Sequence, residues 1–178
     1  MRAEPRCEVS APSRWIVRFA PLVPEGGAVL DVACGGGRHA RHFLARGHPV
    51  TCVDRELEGI SDLRGRYRLE PVAADLEAGA PWPLPGRRFA AVVVARYLHR
   101  PILPVLVDAV APGGLLLYET FAAGNERFGR PSNPDFLLRP GELLEAVRGT
   151  LRVLAYEDVV ADEPQPSALQ RIAARREP

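Results

Sequence analysis

The sequence predicts an α/β fold: one domain with a seven-stranded, mostly parallel sheet, an antiparallel C-terminal hairpin and helices on both faces. Three observations predict it. Short apolar runs alternate with helix-compatible segments up to Arg148, the rhythm of repeated βαβ units. The run Phe89–Ala95 is apolar throughout, as a central parallel strand covered on both faces must be. The last two runs, Leu151–Val160 and Ala168–Arg175, flank a short Pro-containing turn, which suits a hairpin at a sheet edge.

Each element follows from local signals. Residues 1–12 read as a tail, and residues 13–178 as the domain. Ser13 is placed to cap a helix over Ser13–Ala20, with Trp15, Ile16 and Phe19 on one face. Pro21–Gly27 ends it, and Ala28–Val32 is the first strand. A glycine cluster, Gly35 to Gly37, turns the chain into a helix that runs from about Arg38 to Arg46, where Gly47 is the stop. The second strand is about Pro49–Val53. Leu57–Arg66 reads as a weaker helix, and about Glu70–Ala74 as a third strand ending at Asp75. A Pro-rich turn, Pro81 to Gly86, leads into the central strand. A helix over about Ile102–Val110, a turn at Pro112 to Gly114 and a strand at Leu115–Thr120 follow. Ala122–Arg139 is long and rich in Gly, Asn and Pro, the mark of a functional loop or lid. Gly141–Arg148 is helical. No repeat and no second domain is visible.

Composition narrows the function. At 178 residues, 47% apolar and 25% charged, the chain has enough length for a substantial core. Its net charge of +1 gives no electrostatic reason to expect nucleic acid or a membrane surface. All 23 basic residues are Arg, so neither Schiff-base chemistry nor a P-loop lysine is available. Cys7, Cys34 and Cys52 are odd in number and lack metal-ligand spacing, so they read as reduced thiols in a cytoplasmic protein. His39 and His42 share a helix face without further ligands near them, and no metal site is expected. No apolar run approaches the ~20 residues of a transmembrane helix, and the first residues lack the apolar core of a signal peptide.

The chemistry concentrates at the first strand-turn-helix. Gly35 and Gly37 allow a tight turn and a close approach to main-chain N–H groups, and the following helix aims its N-terminus at the same point. Gly35-Gly-Gly-Arg-His-Ala40 also fits the nicotinamide pattern G-x-G-x-x-A, and Asp54 lies nineteen residues after Gly35, as a ribose-binding acid would. A nucleotide-dependent oxidoreductase therefore stays open on spacing. Asp31, just before the glycines, discriminates: a carboxylate against the cofactor repels a pyrophosphate and suits the ammonium end of S-adenosylmethionine (SAM). Asp75, at the end of the third strand, suits the adenine amino group.

These residues resemble class I SAM-dependent methyltransferases over nearly the whole chain. That family's D-x-G-x-G-x-G motif is similar to Asp31-Val-Ala-Cys-Gly-Gly-Gly37, with Ala33 in place of the first glycine. The resemblance implies that residues 33–37 wrap the methionine part, that Asp54 holds the ribose hydroxyls and that Asp75 and Leu76 flank the adenine. Ala33, Cys34, Gly35, Gly37, His39, Arg55, Ala95 and Arg96 are the further expected cofactor contacts. It also implies a Rossmann-like sheet of seven strands with the last antiparallel, and S-adenosylhomocysteine as product. Among subgroups the chain looks most like the small bacterial tellurite-resistance methyltransferases.

The acceptor side is read from the end of the central strand. The Asn/Asp-Pro-Pro-aromatic motif of adenine and amide N-methylation is absent there, as is the Pro-Cys nucleophile of pyrimidine C5 chemistry. Tyr97 and His99 are candidate catalytic groups, His99 as a general base. Arg100, Glu119, Arg127 and Arg130 are candidate acceptor contacts, the arginines through paired hydrogen bonds to an anionic group. A small-molecule acceptor is expected, because little chain remains after seven strands for macromolecular recognition. An RNA or protein acceptor and a non-catalytic SAM-binding protein are the alternatives.

Overall fold

The structure, a computed structural model, describes residues 10–162 and 165–178. Cys7 and most of the expected tail lie outside the described residues. Helix α1 (Arg14–Phe19) begins where expected: the Ser13 hydroxyl oxygen accepts from the Trp15 and Ile16 amides. A 3-10 turn, Ala20–Leu22, carries the chain off its end. Strand β1 (Val29–Val32), helix α2 (Arg38–Ala45) and strand β2 (Val50–Asp54) form the first βαβ unit. Strands β3 (Leu69–Ala73) and β4 (Phe89–Ala95), helix α3 (Leu103–Asp108) and strand β5 (Val110–Phe121) continue it. Helix α4 (Glu142–Val147) and strands β6 (Arg152–Ala161) and β7 (Ser167–Arg175) complete the fold.

The seven strands form one sheet in the order β3-β2-β1-β4-β5-β7-β6. The first five are parallel, and β7 runs antiparallel between β5 and β6. The chain order therefore reverses beside β1, where β4 lies against it, and that is where open α/β sheets leave a ligand crevice. Alternation along β4 explains the two layers of core. Val92 and Val94 join Leu106, Val107, Leu143 and Val147 from α3 and α4. Ala91 and Val93 join Trp15, Ile16, Ala40 and Phe43 from α1 and α2 on the other face. Trp15 is also tied to the sheet by its indole N–H, which donates to the Ile172 carbonyl at 3.2 Å.

Two expected elements differ. The segment read as a weak helix over Leu57–Arg66 is a 3-10 stretch, Glu58–Leu63, with a kink at Ile60. Gly59 explains it: a Cβ there would lie 2.7 Å from the Gly35 carbonyl oxygen, so the backbone lies directly on the glycine turn, while Ile60 and Leu63 are buried beneath it. The turn expected at Pro112 to Gly114 is a loop-out within β5, since pairing with β4 starts at Phe89–Val110 and resumes at Ala91–Leu115.

Candidate functional site

The C-terminal ends of β2 and β3 and the loops after β1 and β4 enclose a cavity of about 260 Å³. Its floor is the turn after β1. Ala33 adopts φ +51° there, a left-handed conformation for a residue with a Cβ. Gly35 also has φ +51°, and nothing lies within 4 Å of where its Cβ would be, so its backbone is bare beside the cavity-lining Ala33 and Asp54. Gly37 differs, because a Cβ on it would meet Ile60 Cγ2 at 2.5 Å. One glycine opens the turn and the other seats it.

Asp54 joins two elements. Its Oδ2 accepts from the Gly35 amide at 2.8 Å, and its Oδ1 from the Glu56 amide at 3.1 Å. Asp75 follows at the end of β3, and its Oδ1 accepts from the Glu77 amide at 2.9 Å. Both acids line the cavity. Ala74, Leu76 and the Tyr97 ring supply apolar walls, and Arg55 closes the exposed rim. Burial, and then the nearby Glu77 carboxylate, push the Tyr97 phenol well above its ordinary range. It stays protonated, a donor and a wall rather than a base. Ala74 and Glu77 were not anticipated from the sequence. Glu77 reaches the site because the turn that its amide closes on Asp75 folds it back beside that acid.

Several expected cofactor contacts sit behind this wall. Asp31 is only 1% exposed, because alternation along β1 turns it toward α2 rather than toward the cavity. Its Oδ2 accepts from the Ala40 amide at 3.0 Å. Burial pushes its pKa up to about 7; the Ala40 hydrogen bond and Arg38 pull it down, and Asp54 raises it. Its charge thus reaches the site only through space, which corrects the expectation of a carboxylate facing the cofactor.

His39 is corrected in the same way. Its Nε2 accepts from the Ser13 amide at 3.2 Å, and burial, followed by Arg38, holds its pKa down to about 3. It is a neutral acceptor that docks α1. Cys34 is buried with its thiol 3.9 Å from the Gly35 carbonyl oxygen. The hydrogen bond that Cys52 makes to Cys34, then burial, push the Cys52 thiol far up. Ala95 ends β4 and Arg96 follows it. Arg96 adopts φ +55°, its amide donates to the Glu119 carbonyl at 2.9 Å, and its guanidinium lies 5.9 Å from the Phe121 ring centre.

The candidate acceptor residues are scattered. His99 is half-buried, heads the 3-10 turn Arg100–Ile102, and its imidazole makes no hydrogen bond to the described residues. Arg100 is a strut: it pairs with Glu142 at 2.7 Å and donates to the carbonyls of Asp135 and Leu137. Glu119 faces the α1 layer, held by Arg171 in a close ion pair at 2.6 Å without hydrogen-bond alignment. Arg127 turns back on its own loop, with Nε donating to the Gly124 carbonyl at 3.1 Å. Arg130 is exposed. The loop over residues 122–139 is pinned. Asn125, 2% exposed, donates to the Pro131 carbonyl and accepts from the Ala168 amide, and the Leu138 amide donates to the Phe121 carbonyl.

Comparison with known proteins gives a consistent picture. The methyltransferase-domain family matches residues 29–114. Among curated proteins there is no match. The fold is similar to TehB from Haemophilus influenzae, with TM-score 0.78 and 18% identity over 96% of this chain. The chain spans 64% of that protein's length. It is also similar to an S-adenosylmethionine-dependent methyltransferase from Mesorhizobium loti, with TM-score 0.69 and 17% identity, covering 90% of this chain and 96% of that one. A third likeness is the 1,6-didemethyltoxoflavin-N1-methyltransferase of Burkholderia thailandensis, with TM-score 0.65 and 20% identity, covering 92% and 75%. That structure holds 1,6-didemethyltoxoflavin and S-adenosylhomocysteine.

Proposed function

We propose that this chain, a class I SAM-dependent methyltransferase, transfers a methyl group from S-adenosylmethionine to a small-molecule acceptor and releases S-adenosylhomocysteine. The observation that carries the reading is the junction of Asp54 with the Gly35 amide at the cavity floor. It fixes a carboxylate, a bare glycine backbone and a helix N-terminus around one opening, as an adenosine ligand with a cationic tail requires.

The residues fit that ligand part by part. Asp54 suits the ribose hydroxyls and Asp75 the adenine amino group, between the apolar sides of Ala74 and Leu76 and the Tyr97 ring. The turn over residues 33–37 suits the methionine part. When bound, S-adenosylmethionine supplies a methyl carbon activated by its sulfonium. The chain's own task is to align the acceptor with that carbon and to exclude water, which supplies ~7–11 kcal/mol in favourable cases. His99, whose imidazole is uncommitted, is the proposed base for an acceptor that must lose a proton.

Two observations favour a small acceptor over RNA. Arg41, Arg87, Arg100, Arg148 and Arg171 all lie within ion-pair distance of carboxylates, which leaves less unpaired charge for a phosphate backbone. The Burkholderia neighbour holds a small acceptor on a similar fold. Among the described residues no helix is long and apolar enough to cross a membrane.

Calorimetric titration with S-adenosylmethionine, S-adenosylhomocysteine and NADH tests the reading. Binding of the first two alone is expected; binding of NADH alone overturns it in favour of an oxidoreductase. With an acceptor in hand, His99→Ala is expected to lower kcat by ~10²-fold or more while S-adenosylmethionine affinity holds. Normal turnover removes His99 from the mechanism.

A further inference from the structure

Two arginines beside the glycine turn are left without a carboxylate. Arg38 opens α2, and its guanidinium donates one long hydrogen bond, 3.4 Å to the Ala11 carbonyl. Arg96 follows β4 and is exposed. Among the described residues neither guanidinium lies within ion-pair distance of an acid. Arg100 and Arg127, candidate acceptor contacts by sequence, are instead engaged within the protein, one by Glu142 and the other by its own loop. Tyr97, the residue after Arg96, lines the cofactor cavity, as Ala33 does, so Arg96 stands at the border of that cavity.

The backbone brings the two together. Regular alternation along β4 would carry Arg96 to the α3 and α4 face, with Val92 and Val94. Arg96 has φ +55° instead, a left-handed conformation that disfavours any residue with a Cβ. Its guanidinium lies 5.9 Å from the Phe121 ring centre, and Phe121 shares the alternation of Leu115 and Leu117, which pack on the α1 and α2 face. The strained residue thus sends its side chain across the strand end, to the side where Arg38 begins α2. Backbone strain of this kind persists where the placement of a side chain is used. Burial, and then the Arg96 charge, lower the Arg38 guanidinium from its ordinary value, while Glu119 raises it. Glu119 does not balance the two, because Arg171 holds it at 2.6 Å. Asp31 is buried with its pKa pushed up to about 7, so it is only partly charged at neutral pH.

We propose that Arg38 and Arg96 hold the carboxylate of the acceptor, so that the acceptor is a small carboxylic acid whose apolar body lies against Phe121. The proposal rests on the methyltransferase reading of the adjoining cavity. S-adenosylmethionine does not itself balance the pair: its amino-acid end carries one charge of each sign, and its sulfonium adds a positive one. A second ligand with a net negative charge does. Two guanidiniums offer a carboxylate paired, charge-assisted hydrogen bonds, and the Phe121 ring offers apolar contact beside them. The bound anion also attracts the sulfonium, which serves the alignment of donor and acceptor on which transfer depends.

Calorimetric titration of benzoate into the whole chain saturated with S-adenosylhomocysteine tests the proposal. Saturable binding is expected, and benzamide, of similar shape without the charge, should bind about tenfold more weakly or worse. Arg38→Gln and Arg96→Gln should each weaken benzoate by about tenfold or more, and Arg96→Lys should recover part of the loss, since it restores the charge without the planar fork. S-adenosylhomocysteine and methylthioadenosine, which lacks the amino-acid tail, should both bind Arg96→Gln as they bind the wild type, which also shows that the variant is folded. If S-adenosylhomocysteine binds but benzoate does not, or binds no better than benzamide, this proposal falls and the methyltransferase reading stands. If Arg96→Gln loses affinity for S-adenosylhomocysteine and keeps it for methylthioadenosine, the pair holds the methionine carboxylate and the proposal is overturned. If S-adenosylhomocysteine fails to bind the wild type, the methyltransferase reading falls and takes this proposal with it.

Discussion

Asp31 and His39 pull the pH dependence of stability in opposite directions. Asp31 has its folded-state pKa raised from 3.8 to about 7. Its proton is favoured in the folded chain, so its contribution is full below about pH 4 and is lost as pH rises through 7. His39 has its folded-state pKa lowered from 6.5 to about 3. Its contribution is full above about pH 6.5 and is lost as pH falls toward 3. Each shift of three units or slightly more corresponds to roughly 4–5 kcal/mol, so the two nearly cancel across the acid range. Separating them is the test. Asp31→Asn keeps an acceptor for the Ala40 amide and removes the buried charge. It should raise unfolding stability above pH 7 by up to ~4 kcal/mol, with the gain vanishing toward pH 4. S-adenosylmethionine should bind this variant more weakly, because a cationic ligand loses a through-space attraction. His39→Gln should instead remove the loss of stability between about pH 6.5 and 3 and uncover the opposing Asp31 slope. Denaturant unfolding across the pH range reads both, and an unchanged profile in either variant removes that residue from the account.

At the scale of elements, the glycine turn and the pinned loop separate binding from stability. Gly35→Ala introduces a Cβ into open space, so its cost to folding is the left-handed backbone alone, about 1–2 kcal/mol. That methyl stands beside Asp54, which the Gly35 amide holds at the cavity, and S-adenosylhomocysteine affinity should fall markedly. Gly37→Ala carries the same backbone cost and adds the 2.5 Å encounter with Ile60, an overpacking cost of a further ~1–3 kcal/mol. Stability should fall more in Gly37→Ala and binding more in Gly35→Ala; urea unfolding beside calorimetry distinguishes them. Arg100 holds the carbonyls of Asp135 and Leu137 and the Glu142 carboxylate, which is only 12% exposed. Arg100→Met leaves that acid without its main partner, and a loss of about 2–4 kcal/mol is expected. Limited proteolysis should quicken between residues 122 and 139. Arg127→Ala, which removes only a contact inside the loop, should change neither rate nor stability. Equal cleavage of wild type and Arg100→Met would mean that Asn125 and the Leu138–Phe121 backbone bond hold the loop without Arg100.

At the scale of the whole molecule, the sheet order β3-β2-β1-β4-β5-β7-β6 sets the cavity at the ends of β2 and β3 well away from the β6 edge. The strand sequence, the two-faced burial of β4 and the helix cap at Ser13 were legible in the chain, because each rests on local periodicity or on a side chain bonding its own neighbours. Asp54 and Asp75 were legible too, since a strand end followed by an acid puts that acid at the crevice wherever the sheet is parallel. The 3-10 stretch at Glu58–Leu63 was not, because its conformation depends on the Gly35 backbone that it touches. Nor was the neutral, inward-facing role of His39, which depends on the docking of α1. Arg100 and Glu119 read as ligand groups until the fold supplied Glu142 and Arg171 as their partners. The sequence by itself determined the βαβ order, the turn and the acids at the strand ends, since these follow from contacts within a few residues. Only the tertiary structure decided which charges are spent inside the protein and which face a ligand, because that depends on long-range pairing between segments tens of residues apart.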